Sequence, residues 1–236
     1  GVGATLQDYA TQAPLLQKKL TRRHEVVFRY GSRAGQSIRP NVVKTYTYAQ
    51  AAAGLISLLR TDEGRIRRTD WNDQTILAID FGHGQINVAV MDRLQFVMAA
   101  CFAMDYGFYR VVSTAQNYLN TKHYVTASIP QLQETVERGY YLKNNSKIDL
   151  RQIIDSACDK LINTVVDEIK VHVPSMLLDR VSTIVAMGGG GKTMAPFVGS
   201  AFPAMKLEIA ENSLFANARG LLLVAREKWE KENALR

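Results

Sequence analysis

The sequence predicts an α/β protein of mixed sheets flanked by helices, arranged as two domains. Three observations predict it. Short apolar runs of strand character alternate with helical stretches along the chain. Residues 75–100 hold three strand-like runs around two tight turns, which makes a meander, not a strand-helix-strand unit. Farther on, the apolar run Val181–Met187 leads directly through four glycines into a helical stretch, as a buried strand does. The polar run Thr61–Gln74 separates the first part of the chain from the remainder. The expected domains are therefore residues 1–74 and 75–236, the second with a helical insertion at about 108–170.

Taken in order, residues 5–23 read as a helix with Leu15, Leu16 and Leu20 on one face and Lys18, Lys19, Arg22 and Arg23 on the other. Two strand-like runs come next, His24–Tyr30 and Val42–Tyr48, joined by a Gly/Ser/Pro stretch. Ala49–Arg60 is rich in alanine and leucine and helical. Thr75–Asp80 is a short apolar strand ending on a carboxylate. Ile86–Met91 and Leu94–Ala100 continue the meander, with Asp92-Arg93 as their hairpin turn. A helix is expected over about Tyr106–Leu119. Asp149–Val171 has the clearest helical period, with Ile154, Leu161, Ile162, Val165 and Ile169 on one stripe. Lys206–Ile209 is the last strand, and Asn212 or Ser213 is placed to cap a final helix over Phe215–Lys231.

Composition narrows the function classes. With 47% apolar and 22% charged residues among 236, the chain can bury a core, which excludes collagen-like, low-complexity and intrinsically disordered classes. No run approaches the ~18–20 apolar residues a membrane span needs, and the first residues lack a signal peptide's layout. A cytoplasmic protein without membrane contact is expected. Cys101 and Cys158 show no metal spacing and read as buried thiols of a reducing compartment. The 29 Lys+Arg against 22 Asp+Glu leave a surplus of seven, which invites a nucleic-acid hypothesis. The basic residues nevertheless read as scattered, with short clusters at Lys18–Arg23 and Arg65–Arg68, neither interleaved with aromatics. Direct sequence-specific nucleic-acid binding is not expected.

Two glycine-bearing turns carry the chemistry. Asp80 ends a buried strand, where an unpaired carboxylate is costly, so it should face a cation or a cluster of donors. In Asp80-Phe81-Gly82-His83-Gly84-Gln85 the two glycines offer backbone N–H groups, and Gln85 and Asn87 add neutral polar groups. A carboxylate beside free amides suits a magnesium-bound phosphate, the metal keeping several waters. The second turn, Gly188-Gly189-Gly190-Gly191-Lys192-Thr193, nearly matches the phosphate loop G-x-x-x-x-G-K-[ST]. Ala186 stands where that loop has its first glycine, and only one short strand and a helix come after it, which argues against a P-loop enzyme. Four glycines after an apolar strand instead let a flat group or a phosphate approach the backbone closely.

The order of strand, Asp-x-Gly-x-Gln hairpin, two strands, helices, buried strand, glycine run and helix resembles the second half of the actin/Hsp70/sugar-kinase superfamily. Within it, the chain resembles the actin-like filament ATPases of plasmid segregation, the ParM/StbA group. Ile79–Gln85 resembles the family's second phosphate turn, and Ile184–Gly190 its adenosine turn. Leu214-Phe215-Ala216-Asn217-Ala218-Arg219-Gly220-Leu221 resembles its "FANARG" ending, and Tyr48–Gly54 the helix linking its two domains, which begins with a Gln or Glu facing the γ-phosphate. The superfamily also opens with an Asp-x-Gly hairpin of its own. None precedes Gly1–Tyr9, so the chain is either part of a longer protein or one without that turn.

The resemblance implies an actin-like (ribonuclease H-like) fold that holds ATP or GTP with magnesium between the domains. Asp80 would be the metal residue, Gly82, His83, Gly84 and Gln85 the phosphate turn, and Gly188, Gly189, Gly190, Gly191 and Lys192 the nucleoside turn. Gln50, with Asp80, would be catalytic: an amide is no general base, so Gln50 would orient the attacking water. Asp105 would cap the next helix or touch the ribose side. The implied partners are further copies in a head-to-tail filament and a DNA-bound adaptor protein. A scaffold that binds nucleotide without hydrolysis, and a sugar-kinase-like phosphotransferase, are the competing readings.

Overall fold

The computed structural model describes residues 1–5 and 9–234; residues 6–8, within the helix expected over 5–23, lie outside the described residues. The chain runs β1 (Val2–Ala4), α1 (Tyr9–Leu20), β2 (Val26–Val27), β3 (Ser37–Ile38), β4 (Thr47–Ala49) and α2 (Ala52–Leu59). It continues through β5 (Thr75–Phe81), β6 (Ile86–Asp92), β7 (Gln95–Phe96), β8 (Phe102–Met104), α3 (Tyr109–His123) and α4 (Ile129–Arg138). Then come β9 (Tyr140–Lys143), β10 (Ser146–Asp149), α5 (Arg151–His172), α6 (Ser175–Leu178), β11 (Val181–Met187), α7 (Gly191–Ala201), β12 (Lys206–Ile209) and α8 (Ala216–Ala234).

The centre is a six-stranded mixed sheet in the order β12-β11-β5-β6-β7, with β8 also on β6. β12, β11 and β5 run parallel, while β6, β7 and β8 are antiparallel to their neighbours. The period-two alternation of β5 divides the core between its faces. Leu77, Ile79 and Phe81 join Val111, Ile162, Val165 and Val198 under α3, α5 and α7. Ile76 and Ala78 meet Leu55, Leu58 and Leu59 of α2 on the opposite face. α2 in turn lies along α8, close enough that a Cβ on Gly220 would run into the carbonyl of Ala53. The segment between β8 and β11 holds the expected helices and also a hairpin, β9–β10, turned by Asn144 and Asn145 at φ +49° and +64°.

Local departures from the sequence expectations have physical causes. The expected strand Leu94–Ala100 is interrupted, because Arg93 and Leu94 take left-handed conformations to make the turn and Met98–Ala100 forms a short 3₁₀ turn. The third strand of the meander is thus two pieces, β7 and β8, laid along the same edge of β6. The run His24–Tyr30 pairs with Ser37–Ile38, inside the expected linker, since Gly31 and Gly35 at φ +81° and +83° fold the chain back on itself. The strand expected from Val42 begins only at Thr47, where β4 pairs in parallel with β1. The polar run Thr61–Gln74 is fastened to the sheet by Trp71, which is fully buried. Arg68 stacks on its ring at 4.1 Å and pairs with Asp70 and Glu208.

Candidate active site

Parallel pairing of β5 with β11 sets Asp80 beside Met187, so the turns at their ends leave the same edge of the sheet together. Ligand sites of α/β sheets form at such carboxyl ends. The two turns touch. Gly188 sits at φ +85°, and a Cβ there would collide with Oδ1 of Asp80. The N–H of Gly190 donates to the carbonyl of Phe81 at 2.9 Å, and that of Gly188 to Ser213 at 3.0 Å. The N–H of Gly82 folds back on the carbonyl of Asp80 at 3.0 Å, which removes it from the donors expected of this turn. Among the described residues, the N–H groups of His83, Gly84 and Gly189 have no hydrogen-bond partner.

A polar cluster lies beneath the turns. Asp80 is only 4% exposed, and its Oδ2 accepts from Nδ2 of Asn217 at 2.7 Å. The other end of that amide, Oδ1, accepts from the N–H of Ala51 at 3.0 Å. Ala51 is a non-glycine residue at φ +58° and stands at the N-cap of α2. Opposite Asp80 on β6 is Asn87, 1% exposed, whose Nδ2 donates to Oε1 of Gln50 at 3.2 Å. Burial pushes the Asp80 carboxyl above the usual carboxylate range, and the Asn217 hydrogen bond pulls it partway back.

These groups fit a hydrated divalent cation. The cluster holds one buried carboxylate, and Oδ1 of Asn87 is a buried acceptor without a partner among the described residues. Gly188 packs its backbone directly against the carboxylate, where a Cβ would collide with Oδ1 of Asp80. No group of three His, Cys, Asp or Glu that could hold a metal gathers among the described residues, so a cation here would rely on Asp80, water and its ligand's own oxygens.

On the outer side of the turns opens a cleft of about 340 Å³. Gly189 and Gly190 line it together with His83 and Lys192; Phe108 and Leu214 supply apolar surface, and Gln133, Glu137 and Ser213 complete it. The fold thus brings His83, Gly189, Gly190 and Lys192 to one cavity and Gln50 and Asp80 to one cluster. Gly191 begins α7. Gln85 is committed elsewhere: its Nε2 donates to Oδ1 of Asp105 at 2.7 Å, tying the turn to the segment before α3. Asp105 therefore braces the hairpin, and Phe108 holds the N-cap position of α3. Asn212 makes no side-chain cap; it turns the chain at φ +51° into the 3₁₀ turn that precedes α8.

Sequence reasoning does not single out Gln133 and Glu137. They are one turn apart on a polar helix whose sequence resembles any solvated face. Asn217 stands out in the sequence only as part of a motif, with no role attached. Its signal is an amide inside an otherwise Ala/Gly-rich helix start, a residue that must spend both its donor and its acceptor when buried.

Mixed sheet, flanking helices and paired turns define an actin-like fold. Residues 78–199, just over half of the chain, match the family described as the archaeal actin homologue MreB-like, C-terminal, and the chain belongs to this family. Three solved structures show the likeness. A pCBH ParM non-polymerisable quadruple mutant is 19% identical with a TM-score of 0.77, over 95% of this chain and 67% of that one. Ta0583, an archaeal actin homologue in complex with ADP, is 18% identical with a TM-score of 0.78, over 96% and 71%. A 15-stranded ParM filament from Clostridium botulinum is 20% identical with a TM-score of 0.74, over 95% and 65%. The chain spans about two thirds of the length of these structures. No curated protein matches the sequence. No helix among the described residues is long and apolar enough to cross a membrane.

Proposed function

We propose that this chain binds a nucleoside triphosphate, ATP or GTP, with magnesium, and hydrolyses it in step with actin-like head-to-tail self-assembly. The observation that carries the reading is the contact of Gly188 with Asp80, which joins a buried carboxylate to a glycine-floored cleft. In this reading the phosphates would face Asp80 and the nucleoside would face Gly189 and Gly190. The N–H groups of His83 and Gly84 would donate to phosphate oxygens, and the Asp80 carboxylate would hold the hydrated metal. Magnesium would supply charge neutralisation on the phosphates. Phe108 and Leu214 give the base apolar walls, while Lys192, Gln133 and Glu137 offer polar partners at the rim.

Gln50 would orient the attacking water, and Asn87 holds its amide oxygen so that the Nε2 end stays available. Gln50 precedes α2 and brings the first domain, expected over residues 1–74, to the site. Closure on nucleotide would change the angle between the domains, and a head-to-tail contact sensitive to that angle builds an open filament. Membership in the ParM/StbA group, a role in plasmid or DNA segregation in the cytoplasm, and a DNA-bound adaptor as partner extend the same reading. It is supported by the likeness to a structure described as a ParM filament and to one described as a complex with ADP.

The test is calorimetric titration of the Asp80→Ala variant with ATP and magnesium, alongside pelleting with a non-hydrolysable analogue and a phosphate-release assay. Loss of magnesium-dependent binding and of pelleting is expected. Unchanged affinity would overturn the site, and pelleting without phosphate release in the parent would favour a scaffold.

A further inference from the structure

The chain's entire surplus of charge sits on one segment. Residues 18–44 contain eight lysines and arginines and one acidic residue, Glu25, a surplus of seven. All the other residues together hold 21 basic and 21 acidic side chains and are neutral. The basic residues are therefore not scattered in effect. Elsewhere, arginines such as Arg60, Arg68, Arg180 and Arg219 are paired with carboxylates. Within the segment, Arg39 pairs with Glu25 and Lys44 with Glu232. Lys18, Lys19, Arg22, Arg23, Arg29 and Arg33 have no ion-pair partner among the described residues.

These six cations lie on the last turn of α1 and on the ribbon next to it in the chain. The ribbon is a two-stranded ladder from the Arg23–Asn41 bridge through Val26–Ile38 and Val27–Ser37 to the Phe28–Gln36 hydrogen bond. Neither β2 nor β3 contributes a residue to the buried core. Its register is constant, so Arg23, Glu25, Val27 and Arg39 share one face. The loop at its end, Arg29-Tyr30-Gly31-Ser32-Arg33, carries two of the guanidinium groups without an ion pair, that of Arg33 lying 5.8 Å from the Phe28 ring centre, around a tyrosine that is 87% exposed.

From this arrangement we infer that the ribbon and the end of α1 form a docking surface for a nucleic acid, gripped through its phosphate backbone without regard to sequence. Unpaired cations on a projecting ribbon are what a polyanion requires, because each phosphate neutralised releases a condensed counterion. A two-stranded ribbon is narrow enough to lie in or along a groove, and an exposed tyrosine between arginines suits contact with bases or sugars. An anionic bilayer fits less well. Here the exposed aliphatic residues Val26, Val27 and Ile38 lie along the stem, and the tip offers a tyrosine between two arginines with no large aliphatic side chain to insert. This inference does not depend on nucleotide binding by the cleft.

The test is fluorescence anisotropy with the full chain and a labelled random-sequence DNA duplex, in a salt series from about 50 to 200 mM. Binding that weakens steeply with salt and is indifferent to sequence is expected. R29A/R33A should flatten the logarithmic salt slope by about two, one for each phosphate contact removed. K18Q/K19Q repeats the test from α1, and K160A/K170A, on α5, should leave binding unchanged. Melting temperatures equal to the parent's certify that each variant folds. Salt-independent or absent binding, or a slope unaltered in both ribbon and helix variants, overturns the inference. So does capture by phosphatidylserine vesicles or polyglutamate as tight as by the duplex, since either would mark a generic anion or membrane surface.

Discussion

Nδ2 of Asn217 donates to the carboxylate of Asp80 at 2.7 Å while Oδ1 of the same amide accepts from the N–H of Ala51 at 3.0 Å. One side chain on α8 thus joins the buried acid at the end of β5 to the start of α2, the residue next to Gln50. Only a group that donates at one end and accepts at the other can make both bonds. Asn217→Asp would set a second carboxylate against Asp80, and Asn217→Leu would orphan the Ala51 N–H. Each is expected to cost about 2–3 kcal/mol, or on the order of 5–10 °C in Tm for a chain of this size. Thermal melts check this, and a loss under 1 °C in both variants would show that the bridge contributes nothing.

The acid itself should be costly to the empty protein. Burial holds the folded Asp80 carboxyl above its unfolded value, so the folded state binds this proton more tightly than the unfolded chain. Stability from the group is therefore full below the unfolded value and is lost as pH rises through the folded one. At neutral pH, Asp80→Asn removes that loss and keeps an oxygen for Asn217 to donate to. The expected outcome is a higher Tm without ligand at pH 7, a gain that fades below about pH 4, together with failure to bind magnesium-nucleotide. A variant less stable than the parent at pH 7 would contradict the assignment of cost.

Glycines at contact points separate strain from space. At Gly220 a methyl group would enter the Ala53 carbonyl, forcing α2 and α8 apart. At Gly64, φ is +82° but nothing lies within reach. Gly220→Ala should cost about 3 kcal/mol or more through overpacking, against about 1 kcal/mol for Gly64→Ala from backbone strain alone. Equal losses in chemical denaturation would mean that the helices can slide apart freely.

Much of this fold is legible in sequence because period and punctuation agree. Val181–Met187 and the glycines after it, the stripe of α5, and the strand ending at Asp80 each announce themselves locally. The features that stay hidden depend on partners distant in the chain. Gln133 and Glu137 reach the cleft only because α4 is folded over it, and nothing in a polar helix states which side faces a cavity. Gln85 satisfies a motif letter yet is drawn off by Asp105, twenty residues on. The break between β7 and β8 comes from the 3₁₀ turn at Met98–Ala100, and the late start of β7 from two left-handed residues, Arg93 and Leu94, of types that seldom adopt that conformation. The charge surplus is countable from composition, but only the isolation of the ribbon from the core gives the count a location.

Gln50 provides the last and sharpest test of the proposed chemistry. Its Oε1 is held by Asn87 and its backbone N–H by the carbonyl of Ala4, so the side chain is positioned from two directions before any ligand arrives. A residue that only orients water acts on the transition state and not on ground-state affinity. Gln50→Ala should therefore bind nucleotide like the parent while phosphate release slows about 10²–10³-fold. Asn87→Leu removes the amide that holds Gln50 and should slow release by a smaller factor. Because both measurements come from one titration and one phosphate assay, they are decisive together. Slowed release with weakened binding would make Gln50 a ligand-binding residue, and wild-type turnover would remove it from the mechanism.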